Sequence, residues 1–166
     1  MEDSISDVDM VGKCQDMEKV MDRLRRISSR REYCSADILK KAADAFEGDD
    51  AKAREVLDRL VSEKYVDDLR YATAFARDKS SISGWGEVKI RYMLSAKSIS
   101  KDIIAQALKD IDPERAGNRL EKLLENKWKS LKDDPQGRMK LIRFALGRGY
   151  GYDMVRSVMD DICRPE

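Results

Sequence analysis

Trp85-Gly86-Glu87-Val88-Lys89-Ile90, continuing to Ile111, returns 51 residues later as Gln136-Gly137-Arg138-Met139-Lys140-Leu141, continuing to Ile162. The two stretches align without a gap. Gly86 meets Gly137, Lys89 meets Lys140 and Lys97 meets Arg148. Ile103, Ile104, Ala107, Leu108 and Ile111 meet Met154, Val155, Val158, Met159 and Ile162. A third copy precedes them, from Tyr33 to Leu60, with one extra residue in its turn at Glu47 to Asp50. There Ile38 meets Ile90, and Val56, Leu57 and Leu60 meet Ala107, Leu108 and Ile111. Self-similarity at a fixed period of this size marks a repeated supersecondary unit.

Each copy reads as helix, tight turn, helix. The apolar positions 99, 103, 104, 107, 108 and 111 fall on one face at helical period. Ser100 is placed to cap the second helix of the middle copy, with Ile99 and Ile104 as a hydrophobic staple. In the last copy Gly151 takes the cap, Tyr150 and Val155 form the staple, and Gly149 ends the preceding helix with a positive φ. A third helix completes the first two copies. Asp67-Asp68 opens one and Asp112-Pro113 the other, with acids favouring the helix dipole and proline suiting the first turn. The last copy lacks a convincing third helix. The expected fold is all-α, built of tandem three-helix, helix-turn-helix-like repeats that bury their apolar faces by stacking. The expected partition is an acidic, disordered tail over 1–15, a basic N-terminal helix over 16–31, repeats over 32–82 and 83–134, and a truncated repeat over 135–166.

Charged residues make up 39% of the chain and hydrophobic ones 42%, a balance that suits a thin, elongated shape with much surface per residue. The net charge of +1 conceals blocks. Met1 to Asp22 holds seven acids against Lys13 and Lys19, whereas Arg23 to Arg31 holds five arginines and no acid. Leu69 to Lys101 has seven bases against Asp78 and Glu87, and Gln136 to Met159 has five against Asp153. Basic blocks bind phosphate even in a near-neutral chain.

Several functions are disfavoured. The chain has no histidine, so the usual acid–base group is missing. Cys14, Cys34 and Cys163 are odd in number and far apart, which argues against a disulfide framework or zinc site and for reduced thiols in the cytoplasm. The acid pairs Asp49-Asp50, Asp67-Asp68, Asp133-Asp134 and Asp160-Asp161 sit at predicted helix ends, where capping explains them better than metal binding. No Walker-type motif occurs, and Gly147-Arg148-Gly149-Tyr150-Gly151 follows a helix, not a strand, so it reads as turn and cap. No apolar run approaches the ~20 residues that span a bilayer, and the acidic N-terminus is no signal peptide. The second helices carry few basic or amide groups on their outer faces, so sequence reading in a DNA groove is not expected. The chain is read as a non-enzyme without metal or cofactor.

Basic residues recur on the first helices: Lys40 and Lys41, then Lys89, Arg91 and Lys97, then Arg138, Lys140, Arg143 and Arg148. Arg70, Arg77 and Lys79 ride the third helix of the first copy, and Arg30 and Arg31 close the N-terminal helix. Any one of them is explained by a solvated face. As a recurring set they predict a stripe that binds phosphates without reading sequence. Phe75, Phe144 and Trp128 fall on apolar faces and are expected in the core, whereas Trp85, between Gly84 and Gly86, is expected to be exposed.

Leu57-Asp58-Arg59-Leu60, Tyr65-Val66-Asp67-Asp68-Leu69-Arg70-Tyr71-Ala72 and Ala74-Phe75-Ala76-Arg77 resemble the pattern of the RecX family. Arg31-Glu32-Tyr33 resembles its lead into the first repeat, and Trp85-Gly86 with Lys89-Ile90 its lead into the second. The resemblance covers roughly Leu24 to Ile162. It implies an elongated, curved array of three-helix repeats, acting as a cytoplasmic monomer. It implies binding in the groove of the RecA filament on single-stranded DNA. That binding inhibits or modulates recombinase, ATPase and co-protease activities, and so controls DNA repair and the SOS response. The basic face listed above, from Arg30 to Arg148, is then the expected filament contact. The acidic N-terminal extension and the lysine-rich segment Asn118 to Asp134 depart from the family pattern. Two other readings stay open: a sequence-independent DNA binder, and a helical-repeat adaptor for some other partner.

Overall fold

The computed structural model describes residues 7–164, with side chains from residue 17 onward. Among them are nine helices and no strand: α1 (Asp7–Arg30), α2 (Ser35–Ala45), α3 (Asp50–Ser62), α4 (Asp68–Ser81), α5 (Glu87–Ala96), α6 (Lys101–Leu108), α7 (Pro113–Trp128), α8 (Gly137–Gly147) and α9 (Tyr152–Ile162). The pattern from Asp16 onward marked the N-terminal helix, but α1 starts at Asp7, ahead of that point. The rest of the acidic stretch, residues 1–6, lies outside the described residues.

Helix starts follow the local chemistry. The Asp49 carboxylate accepts from the Lys52 backbone N–H at 3.1 Å and caps α3. The Ser100 hydroxyl accepts from the Ile103 N–H at 3.4 Å, with Ile99 and Ile104 buried beneath it. Asp112 accepts from the Glu114 N–H at 2.9 Å, and Pro113 opens α7. Asp67 accepts from the Arg70 N–H, and Asp134 from the Gln136 N–H. Of the acid pairs expected at helix ends, Asp49-Asp50 and Asp67-Asp68 thus supply caps, whereas Asp160 and Asp161, in the last turn of α9, pair with Arg138 and Arg164. The turns repeat as well. Ser98 and Gly149, 51 positions apart, both adopt the left-handed conformation, at φ 59° and 89°. Serine accepts there a conformation that glycine adopts freely.

The chain divides into two compact units, Met1–Tyr71 and Ala72–Glu166. In the first, Met21 and Leu24 of α1, Ile38 and Ala42 of α2, and Val56 and Leu60 of α3 form one core with no exposed surface to speak of. Their spacings of three and four residues put each set on one helix face. The Arg25 guanidinium meets the Glu63 carboxylate through two hydrogen bonds, at 2.8 and 2.7 Å, and Arg59 meets Glu18 at 3.0 Å, clasping α1 to α3. Glu63 is held below its ordinary value, chiefly by that Arg25 bond.

In the second unit, Leu120 and Leu124 of α7, Leu141 and Ala145 of α8, Tyr150, and Val155 and Met159 of α9 share a core. Trp128 and Phe144 pack against it, as their positions on apolar faces led one to expect. Ala72 and Ala76 of α4 are buried too, with Ser80 one turn further on the same face. The α8–α9 turn crosses the start of α5: the Gly86 N–H donates to the Arg148 carbonyl at 2.8 Å and the Val88 N–H to the Gly149 carbonyl at 2.9 Å. A side chain at Gly86 would collide with the Gly149 carbonyl, and one at the equivalent Gly137 with the Leu131 carbonyl. The repeated glycine marks a place where backbone lies directly on backbone.

Candidate partner-binding surface

In the first unit, Arg31 and Lys41 converge on the half-buried Tyr33. The guanidinium lies 4.4 Å above the ring centroid and the ammonium 5.6 Å from it. Their chain neighbours Arg30 and Lys40 are exposed. Arg70 is differently employed. Its Nε donates to Glu32 at 2.6 Å, and its terminal nitrogens donate to the carbonyls of Lys64 and Tyr65 at 3.2 and 3.3 Å. Glu32 raises the Arg70 pKa above its ordinary value. The residue fastens the α3–α4 connection.

In the second unit, Lys79 and Lys89 place their ammonium groups 4.8 and 4.3 Å from the Trp85 ring centroid. Phe75 meets Trp85 edge-on at 6.3 Å. Trp85 is therefore half-buried instead of exposed. Flanking glycines suggested an open loop, but the loop is pinned to the Lys79 carbonyl of α4 and to the α8–α9 turn, and two lysine side chains cover the ring. The Arg148 guanidinium donates to the Ser83 carbonyl at 3.1 Å and sits 5.3 Å from the Phe144 centroid.

Arg91 pairs with Glu87 at 2.6 Å, Arg138 with Asp160 at 3.1 Å, and Lys140 with Asp134. The Lys140 bond, with the Gln136 N–H, holds Asp134 below its ordinary value. Arg143 is exposed and Lys97 half-buried. Arg77 borders a small pocket of about 110 Å³ with Arg115 and Arg119, beside Asp110 and Asp112. Arg119 donates to the Ser80 carbonyl at 2.6 Å and to its hydroxyl at 2.9 Å. Sequence reasoning passed over Arg115 and Arg119. Their signal was the four-residue spacing that puts both on one face of α7.

The fourteen expected site residues thus divide by environment. Arg70 and Arg148 brace the backbone, Arg31 and Lys41 lie on Tyr33, Lys79 and Lys89 cover Trp85, Arg91, Arg138 and Lys140 face carboxylates, and Lys97 is half-buried. Arg30, Lys40, Arg77 and Arg143 point their charge outward. Such groups attract phosphate or carboxylate without specifying a base. Among the described residues no group of side chains suits a metal ion, and no helix is long and apolar enough to cross a membrane.

Two family models match the chain: RecX, second three-helix domain, over residues 67–108, and RecX, third three-helix domain, over residues 118–159. Their starts are 51 residues apart, which is the period of the internal repeat. They open one helix earlier than repeats starting at 83 and 135. The chain is 31% identical over 150 residues to regulatory protein RecX of Chlorobium phaeobacteroides (strain BS1), covering 90% of this chain and 97% of that one. It is 35% identical over 117 residues to regulatory protein RecX of Clostridium botulinum (strain Eklund 17B / Type B), covering 68% of this chain and 54% of that one. The chain therefore spans about half the length of such clostridial relatives. Two solved structures share the fold. One is a regulatory protein RecX, with a TM-score of 0.84 at 20% identity, covering 96% of this chain and 79% of that one. The other is RecX from Lactobacillus salivarius, with a TM-score of 0.77 at 18% identity, covering 90% and 97%. All-α tandem three-helix repeats, the two matched domains and full-length relatives together establish that this chain belongs to the RecX family of regulatory proteins.

Proposed function

We propose that this chain regulates the RecA recombinase by binding its filament on single-stranded DNA and restraining ATP hydrolysis, strand exchange and co-protease action. The observation that carries this reading is the pair of adjoining RecX domains, which between them span α4 through most of α9. The chain acts as a cytoplasmic monomer and as a regulator, not a catalyst, in keeping with a sequence that holds no histidine. The helix-turn-helix pairs α2–α3, α5–α6 and α8–α9 are common to either framing of the repeat, whether the units start at 32, 83 and 135 or one helix earlier. The outward charges Arg30, Lys40, Arg77 and Arg143 are the filament-facing part of the basic set. Arg31 and Lys41 add to the positive charge of the first unit, and Lys79, Lys89, Arg91, Lys97, Arg138 and Lys140 to that of the second, while Arg70 and Arg148 serve the fold. The basic residues of each unit attract the phosphates and carboxylates of a nucleoprotein filament, and the attraction weakens with salt.

The test is single-stranded-DNA-dependent ATP hydrolysis by the host's RecA, titrated with this chain. Progressive inhibition is expected. An unaffected RecA across a wide titration, with the chain helical and folded, would sink the reading.

A further inference from the structure

A cleft of about 410 Å³ lies where the first turns of α5, α7 and α9 meet. Trp85, Val88, Ile111, Pro113, Tyr150 and Met154 supply its apolar lining. Its size falls within the range of roughly 300–1,000 Å³ typical of ligand clefts. Val88 is 58% exposed and Met154 37% exposed, so apolar side chains stand in water at its mouth. The walls are fixed by the two backbone bonds from Gly86 and Val88 to the α8–α9 turn, and by the buried Tyr150 hydroxyl, which donates to the Gly84 carbonyl at 3.1 Å. A preformed apolar cleft loses little conformational freedom on being filled.

The charges at the cleft specify what fills it. Its charged lining residues are Glu87 and Asp153, and no base lines it. Nearby bases are already engaged at its wall: Lys79 and Lys89 on the Trp85 ring, Arg119 on Ser80, and Arg148 on the Ser83 carbonyl beside it. Glu87 shares its charge with Arg91, while Asp153 stands exposed. Carboxylates at the mouth repel phosphate and attract a cation. We propose that this cleft receives an apolar side chain of a protein partner, set beside a lysine or arginine that approaches Asp153 and Glu87. The inference rests on the regulatory reading, so the partner is a RecA subunit. The cleft grips protein, and the basic residues face the filament's anionic groups. One apolar anchor in a fixed pocket beside a charge pair is the usual form of an interface hot spot.

The test compares Val88→Glu and Met154→Glu, at the mouth, with Ile82→Glu, an 82% exposed apolar position outside the cleft. Asp153→Lys keeps every apolar contact and tests the charge alone. Circular dichroism and thermal melting establish that each variant is folded. The first readout is the concentration that halves single-stranded-DNA-dependent ATP hydrolysis by RecA. The second is affinity for a fluorescein-labelled oligothymidylate without RecA. We expect the half-inhibiting concentration to rise about tenfold or more for the two mouth variants, and to rise for Asp153→Lys. Ile82→Glu and oligonucleotide binding should stay unchanged. Folded mouth variants that inhibit like the wild type overturn the proposal, as does tighter inhibition by Asp153→Lys. Loss of oligonucleotide binding by the mouth variants overturns it too, in favour of a nucleic-acid site. A wild-type chain without effect on RecA overturns the regulatory reading, and the occupant named here falls with it.

Discussion

The carboxylate of Asp68, at the start of α4, accepts a hydrogen bond from the backbone N–H of Ser35, at the start of α2, at 2.7 Å. One acid thus satisfies an orphan donor of a helix 33 residues away. Two residues on, Arg70 ties Glu32 to the α3–α4 connection. The segment Asp67-Asp68-Leu69-Arg70 is a clasp for the first unit. Asp68→Ala should destabilise the protein by about 1–2 kcal/mol, the usual cost of a partly buried donor left unpaired. Arg70→Ala should cost about 1 kcal/mol after solvent screening. Urea unfolding measures both, and the inhibitory strength per folded molecule should hardly move.

The outward bases should behave in the opposite way. Lys40→Glu with Arg143→Glu should leave the melting temperature within a degree or two, because neither position belongs to a core. The same double variant should weaken inhibition of RecA several-fold, and more at low salt than at high. A variant that inhibits normally at every salt concentration would remove these residues from the interface.

Glycine substitutions should separate two environments. Gly86→Ala and Gly137→Ala drive a methyl group into a backbone carbonyl and should each cost about 1–3 kcal/mol. Gly117 lies inside α7 with open space around its Cα. Gly117→Ala should therefore stabilise the protein by about 0.5–1 kcal/mol. Denaturant midpoints for the three variants decide the matter.

The Arg25–Glu63 pair sets a pH dependence. Glu63 titrates below its ordinary value of 4.5 in the folded protein, mainly because Arg25 hydrogen-bonds its charged form. Its contribution is complete above that ordinary value and is lost as the pH falls through the lowered folded one. Glu63→Gln should thus melt below the wild type at neutral pH, and the gap should close as the pH drops beneath 4.5. Melting curves across the acid range measure the gap, and a constant difference would rule the pair out as its source.

The repeat was legible because packing positions must recur when the same helix pair is built again. Ile90 and Leu141, Ile104 and Val155, Leu108 and Met159 are all buried partners of that pattern. Caps were legible for a local reason: Ser100 and Asp112 act on amides two or three residues ahead. The basic residues were harder. Nothing near Arg70 in sequence announces Glu32, 38 residues back, and nothing near Arg148 announces the Ser83 carbonyl, 65 residues back. Periodicity places a side chain on a face, but a partner brought in by the fold decides whether its charge is available. The cleft was illegible for the same reason, since its lining comes from three separate helix starts. The Trp85 exposure failed because flanking glycines here permit close backbone approach, not mobility.

The crossing of the α8–α9 turn over the start of α5 bears on how the chain acquires its structure during synthesis. Donors at Gly86 and Val88 find their acceptors only at Arg148 and Gly149. A nascent chain that has emerged as far as α7 still has an open end on α5 and an incomplete cleft. In an ideal solenoid each repeat is finished by its immediate neighbour as it appears. Here closure of the second unit waits for residues 148 and 149, so a chain shortened before residue 148 should lose order in α5 as well as the helices removed.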